Sequence, residues 1–230
     1  VGAKPVFVDV NEDLNINVNL IEKSISKKTK AIMPVHLTGR ICDMKLLKKI
    51  SIRYKIPIIE DAAQSIGSKY HGKKSGSFGD IACFSAHPLK NLNACGDAGF
   101  LVTNNKQFYD KAIKMRNHGL ENRNVLKNFG FISRMDSLQA SILNYRIKML
   151  NKTINIRKKN AKFYLKNIDQ EFYDLPKDEK YQFNSYHTFI IKSPLRDALK
   201  KYLNDHFIET AIHYPIPIHL QPAAKYLGYK

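Results

Sequence analysis

No apolar stretch of this 230-residue sequence is long enough to cross a bilayer, which argues against a membrane-spanning chain. Its start carries no charged, apolar and small-residue leader, so no export signal is visible. Cysteine is scarce: Cys42, Cys83 and Cys95 are an odd set without disulfide-like or metal-like spacing. No metal site is expected, and the three thiols read as reduced, in a cytoplasmic protein. Acidic residues are outnumbered, 20 against 38 Lys and Arg, for a formal net charge of +18. A basic field attracts nucleic acid, acidic membrane surfaces or anionic small molecules. Here the lysine pairs are spread along the whole chain (Lys27-Lys28, Lys48-Lys49, Lys73-Lys74, Lys158-Lys159 and Lys200-Lys201). No nucleic-acid motif or interleaved aromatic pattern accompanies them. The charge therefore reads as solvated surface, with neither nucleic acid nor membrane as a partner. Internal repeats and low-complexity segments are also absent.

What the chain has is an alternation of apolar runs and helical periodicities. Val6-Phe7-Val8 reads as a short strand, and Leu20, Ile21 and Ile25 as a helix face. Lys30 to Val35 reads as the next strand, followed by a loop to Cys42. Asp43 is placed to cap a helix carrying Met44, Leu47, Ile50 and Tyr54. Ile56 to Asp61 is a buried strand. The Gly-, Ser- and Lys-rich stretch 69–79 is a surface loop, 80–85 a strand, 100–103 another, and Phe108 to Met115 a helix. Strands and helices alternating at this length imply right-handed βαβ units and a mainly parallel sheet. A long helical pattern runs from about 135 to 168 and connects to an α+β tail. That tail has strands at 187–191 and 208–212 around a helix at 195–203.

Two residues stand where such sheets do chemistry. The strand through Ile59 delivers Asp61, and the strand through Phe84 delivers Ser85 and then Lys90. Ligands of open α/β sheets bind outside the carboxyl ends of the strands. An amine and a carboxylate arriving there together suit pyridoxal phosphate (PLP): a lysine holds its aldehyde as a Schiff base, and an acid pairs with the pyridinium nitrogen. Each residue alone has a plainer reading. A loop lysine is common in so basic a chain, and an acid after a strand is often a cap.

Around these residues the sequence resembles the DegT/DnrJ/EryC1/StrS family of sugar aminotransferases. The resemblance lies in Glu60-Asp61-Ala62-Ala63-Gln64-Ser65, in Phe84 to Leu92, in Pro34 to Arg40, in Arg116-Asn117-His118-Gly119 and in His213 to Pro222. The five segments keep the family's order and approximate spacing over nearly the whole chain. The resemblance implies an α/β large domain of the PLP-dependent aspartate aminotransferase type (fold type I), with a smaller α+β C-terminal domain. The chain then divides into a partial large domain at 1–134, a long connecting helix at 135–168 and a partial small domain at 169–230. The resemblance further implies transfer of an amino group from an amino-acid donor, glutamate, to a nucleotide-linked keto sugar in amino-sugar and surface-glycan biosynthesis. The assembly it implies is a homodimer with sites at the interface.

By the same resemblance, Lys90 holds PLP and moves the proton, Asp61 pairs with the ring nitrogen, Gln64 contacts the ring, and Ser85 donates to the phosphate. Gln64 is expected one helical turn beyond Asp61. Tyr214 and His219, in a proline-stiffened segment, are expected near the sugar. His36 and His118 are expected on the same rim, although such histidines are more often structural. Family members carry an earlier glycine loop for the phosphate and a stacking aromatic, and also a further C-terminal piece. The chain is therefore expected to be a fragment. It also departs from the family at Gly130-Phe131-Ile132-Ser133-Arg134, where members commonly have asparagine at the position of Ile132. That asparagine reaches the partner subunit's cofactor phosphate, which isoleucine cannot do. Two rival readings stay open: a sugar dehydratase of the same family, against which Lys90 argues, and a degenerate, non-catalytic homologue.

Overall fold

The structure is a computed structural model and describes residues 2–229. Its first helix, α1 (Val18–Ser24), is capped by the Asn17 side chain and buries Val18 and Ile21. The second, α2 (Met44–Tyr54), starts where the sequence predicts. The Asp43 carboxylate accepts the Leu46 N–H at 3.0 Å, and Met44, Leu47 and Ile50 face inward. It stops at Lys55, whose left-handed backbone turns the chain into the next strand.

The central sheet is built on β1 (Ile59–Asp61), β4 (Ile81–Ser85) and β5 (Gly99–Val102), in the order β1-β4-β5. β1 and β4 run parallel, with Asp61 opposite Cys83, and β5 is antiparallel to β4. The expected strand at 30–35 lies on the far side of β1 as two parallel bridges, Ile32 to Ile58 and Val35 to Asp61. Pro34 interrupts that ladder because it has no N–H to donate. Ile41, Cys42, Met44, Leu47 and Ile58, at most 2 % exposed, form the core between this sheet and the two helices. Each fully buried aliphatic side chain of this kind contributes about 1.5–3 kcal/mol.

The stretch expected as a loop at 69–79 contains a tight hairpin, β2 (Lys69–Tyr70) and β3 (Lys73–Lys74). His71 and Gly72 both have positive φ, the backbone that a two-residue hairpin turn requires. β2 also pairs with β6 (Gln182–Phe183), tying the tail back to the large sheet's side of the molecule. The helix α3 (Lys106–Met115) follows β5 as expected. The long helical pattern is realised as two helices, α4 (Ser137–Arg146) and α5 (Leu150–Asn167), joined by a 3-10 turn at 147–149. In the tail, α6 (Arg196–Asp205) matches expectation.

Three expected strands do not form. Val6-Phe7-Val8 forms no strand, with Val6 61 % exposed and no described strand alongside it. Residues 187–191 and 208–212 likewise lack a ladder; near the first there is only the bridge between Asp174 and Lys192. Apolar alternation makes a strand only where another backbone offers its hydrogen bonds. Among the described residues no helix is long and apolar enough to cross a membrane, and no cluster of His, Cys, Asp and Glu could hold a metal ion.

Candidate active site

Successive residues of a strand point to opposite faces, and β1 uses this to separate two acids. Glu60 is fully buried on one face. Asp61 faces the other side, in register with Cys83, and Ser85 lies two residues farther along β4 on that same face. Asp61 Oδ1 accepts the Ala63 N–H at 3.0 Å, while Oδ2 has no partner among the described residues.

Lys90 is presented by a loop that is clamped throughout. Ala86, Leu92 and Ala94 are buried against Leu143 of α4. Arg146 Nη1 donates to both the backbone and side-chain oxygens of Asn93 at 2.9 Å, and the Cys95 N–H donates to Gln139 Oε1 at 2.8 Å. Partial burial lowers the Lys90 amine below the ordinary lysine value, and the opposing charge of Asp61 does not cancel it. The two groups thus sense each other, yet no ion pair joins them among the described residues. A carboxylate oxygen and an amine, both unpartnered and held apart over one sheet edge, fit a ligand that needs the two at different points of one body.

Gln64 belongs to the same rim. It sits in a turn and not on a helix, because the chain after Ala62 folds back through Ser65 and Ser68. Its Oε1 accepts the Thr38 N–H at 2.7 Å, which leaves the amide nitrogen free to donate. Ser85 Oγ accepts the His87 N–H at 3.3 Å, and its own proton remains available.

The expectation that His36 contacts a ligand is corrected. Its ring is wholly buried, on the Glu60 side of β1. The Cys42 N–H donates to Nδ1 at 3.3 Å, so Nε2 carries the proton and donates to Glu60 at 2.9 Å. Glu60 also accepts the N–H groups of Gly76, Phe78 and Gly79. Burial alone would raise its carboxyl, but His36 and these backbone donors together hold it below the usual range. His118 lies exposed in the 116–134 loop, paired through its backbone with Phe131 and Gly130. No hydrogen bond links it to Asp61 or Lys90. Ile132 is 68 % exposed in that loop. Tyr214 is exposed, and His219, in a 3-10 turn, packs on Phe7 and Tyr229.

One residue at the site was not foreseen. The backbone of 185–188 is drawn toward the lysine loop by several bonds. Asn91 Nδ2 donates to Ser185 O at 3.1 Å, Ser68 Oγ lies 2.9 Å from Ser185 Oγ, and the Ser185 N–H donates to Gly39 O at 3.2 Å. Arg157 of α5 donates to the carbonyls of Tyr186 and His187 at 3.3 and 3.0 Å. His187 is thereby drawn toward the lysine loop, within the field of the Lys90 charge, and no local sequence signal announces it. Gly39 is the hinge pin of this arrangement. Its φ is +100°, and a Cβ there would lie 2.5 Å from Ser185 Oγ and 2.9 Å from the Tyr186 nitrogen. Gly39→Ala is expected to push the 185–187 segment off the site, costing at least about 1–3 kcal/mol for the strained backbone alone. Chemical denaturation of the pair measures it; an unchanged midpoint refutes the close approach.

The family model described as the DegT/DnrJ/EryC1/StrS aminotransferase family matches residues 1–230. The chain is 40 % identical over 100 % of its length to a "Pleiotropic regulatory protein" of Geobacillus stearothermophilus, covering 63 % of that protein. It is 41 % identical over 96 % of its length to the "dTDP-3-amino-3,6-dideoxy-alpha-D-galactopyranose transaminase" of Aneurinibacillus thermoaerophilus, covering 61 % of it. Among solved structures it is similar to S. venezuelae DesV in complex with a ketimine intermediate. The TM-score is 0.94 at 35 % identity, with 98 % of this chain and 61 % of that one covered. It is also similar to the ntda protein of Bacillus subtilis with bound cofactor PMP, with TM-score 0.89, 34 % identity and coverage of 98 % and 54 %. The chain thus spans about three fifths of the length of the curated relatives it matches.

Proposed function

Because the chain belongs to the DegT/DnrJ/EryC1/StrS aminotransferase family, we propose that it carries the lysine and the acid of a PLP-dependent aminotransferase acting on a nucleotide-linked keto sugar. The observation that carries this reading is the placement of Lys90 and Asp61. They lie past neighbouring parallel strands, within each other's field and without pairing. When bound, PLP supplies an aldehyde for an amine to capture and an electron-accepting ring for an acid to keep protonated.

The chain's own residues divide the work as follows. Lys90, with its lowered proton affinity, has a larger neutral fraction than a solvated lysine. It can therefore attack a carbonyl carbon and afterwards move a proton at Nζ. Asp61 Oδ2 is open to accept an N–H. Gln64, its oxygen fixed by Thr38, offers its amide nitrogen to a ring oxygen, and Ser85 offers its hydroxyl to the phosphate. Tyr214 and His219 belong to the segment that meets the sugar. The amino donor is glutamate, the assembly a homodimer and the compartment the cytoplasm. Residues 1–134 form part of the large domain, 135–168 the connection and 169–230 part of the small domain.

Borohydride reduction of the full-length protein with PLP tests the assignment. A reduced adduct on Lys90, located by peptide mass spectrometry, is expected, and its absence removes the reading. Asp61→Asn should keep that adduct and lose about 10²–10³-fold in turnover. That is the scale on which a fixed charge stabilises charge developing in the transition state; turnover within tenfold of wild type excludes Asp61 from that role.

A second reading has its own support. Ile132 stands exposed where the resembled family has a phosphate-contacting asparagine, and a relative of 40 % identity bears a regulatory name. Full-length protein that stays colourless with added PLP would favour a non-catalytic partner. A lysine at position 90 speaks against the dehydratase branch, which uses histidine there.

A further inference from the structure

His187 has a feature that the roles above do not use. Its Nδ1 is buried and has no hydrogen-bond partner among the described residues. Its Nε2 has no hydrogen bond either and is not among the buried unpartnered atoms, so it is the ring nitrogen that reaches open space. The groups whose charges bear on the ring come from three separate elements: Lys90 from the loop after β4, Arg157 from α5 and His213 from the C-terminal segment. No acid is among them.

These facts choose one protonation state. A cationic ring would place an N–H at the buried Nδ1 with nothing to accept it, within the field of the Arg157 guanidinium. An orphaned buried donor costs more than an under-used acceptor. Nδ1 therefore keeps a lone pair and Nε2 keeps the proton. Burial, with the charges of Lys90, Arg157 and His213, pushes the pKa down to about 4. The backbone that carries the ring is held by Arg157, Asn91 and Gly39.

We propose that His187 is a specificity-determining residue of this site: a permanently neutral imidazole whose Nε2–H is offered beside Lys90 to a carboxylate of the amino-acid donor. The inference rests on the aminotransferase reading. The surrounding cations draw in a carboxylate, and the neutral N–H supplies a directional bond. A neutral donor can also release the product, which a further cation would retain.

Glutarate, a dicarboxylate without the reactive amine, is the probe, and the full-length protein with PLP is the sample. One hydrogen bond to a charged group is worth about 1.5–3 kcal/mol, so His187→Leu should weaken glutarate binding about 10- to 100-fold by calorimetry. His187→Gln, which keeps an N–H near the Nε2 position, should stay within about threefold. Histidine-selective 15N spectra of the wild type should show the Nε2–H tautomer from pH 5 to 8, with the Nε2 signal moving when glutarate is added. Undiminished binding by His187→Leu, or a ring that titrates near neutrality, overturns the proposal. So does equal loss in the Leu and Gln variants with both folded. The Lys90 borohydride adduct, measured on the same samples, separates the two claims. With the adduct present and glutarate binding unaffected by His187→Leu, the role of His187 falls and the aminotransferase reading stands. With no adduct, both fall.

Discussion

Lys90→Ala should lower amino transfer by the full-length protein about 10⁴-fold or more and abolish the borohydride adduct. Two contributions are lost together: the nucleophile that holds the carbonyl group and the base that carries the proton. General acid–base catalysis by one positioned group is alone worth about 10²–10⁴-fold, and covalent capture adds to it. The fold should hardly notice. The Lys90 amine makes no hydrogen bond or ion pair among the described residues, and the loop is anchored by Leu92, Asn91 and Asn93 instead. Substitutions of this kind stay within about 0.5 kcal/mol, or roughly 2 °C in Tm. Turnover within tenfold of wild type would refute the assignment of Lys90. A large fall in Tm would show that the loop is held differently.

The opposite pattern is expected one residue before Asp61. Glu60→Ala should cost about 3–5 kcal/mol, the usual loss when one partner of a buried charged network is removed. For a chain of this size that is about 6–20 °C in Tm. His36 would lose its acceptor, and the N–H groups of Gly76, Phe78 and Gly79 would be left without theirs. A change of less than about 2 °C would mean that the turn at 76–79 finds other partners.

The pH dependence of this network has a definite sign. The folded carboxyl of Glu60 lies below its unfolded value, near 4.3. Its stabilising contribution is therefore complete above that value and is lost as pH falls through the lower, folded one. Glu60→Gln, which keeps the shape and removes the charge, should flatten the stability curve in that acid window. An identical acid limb in both proteins would show that another group causes it. The two neighbours thus make a strict test of the strand geometry: Asp61 should affect turnover and Glu60 stability, because β1 turns them to opposite faces.

The interior of the large sheet was legible from local chemistry. Asp43 caps a helix because its carboxylate is three residues from an orphan N–H, and the apolar run into β1 leaves Asp61 at a strand end whatever surrounds it. The position of Lys90 after β4 follows in the same way, from an apolar strand and the turn residues behind it. The short hairpin at 69–74 was harder to see. Its strands are two residues long, and only pairing with Phe183 and Gln182 makes them a sheet.

What the amino-acid order determined by itself was where an amine and a carboxylate leave the sheet, since a strand's length and period depend on nearby residues alone. Tertiary packing decided which histidine is drawn to the lysine loop. His36 lies next to Asp61 across the sheet, its N–H bonded to Asp61 O, but its ring is withdrawn to the far face by Glu60 and Cys42. His187 is remote in sequence but is brought in through Gly39, Ser68, Asn91 and Arg157. Such placements depend on contacts between segments far apart in the chain, and no local periodicity encodes them.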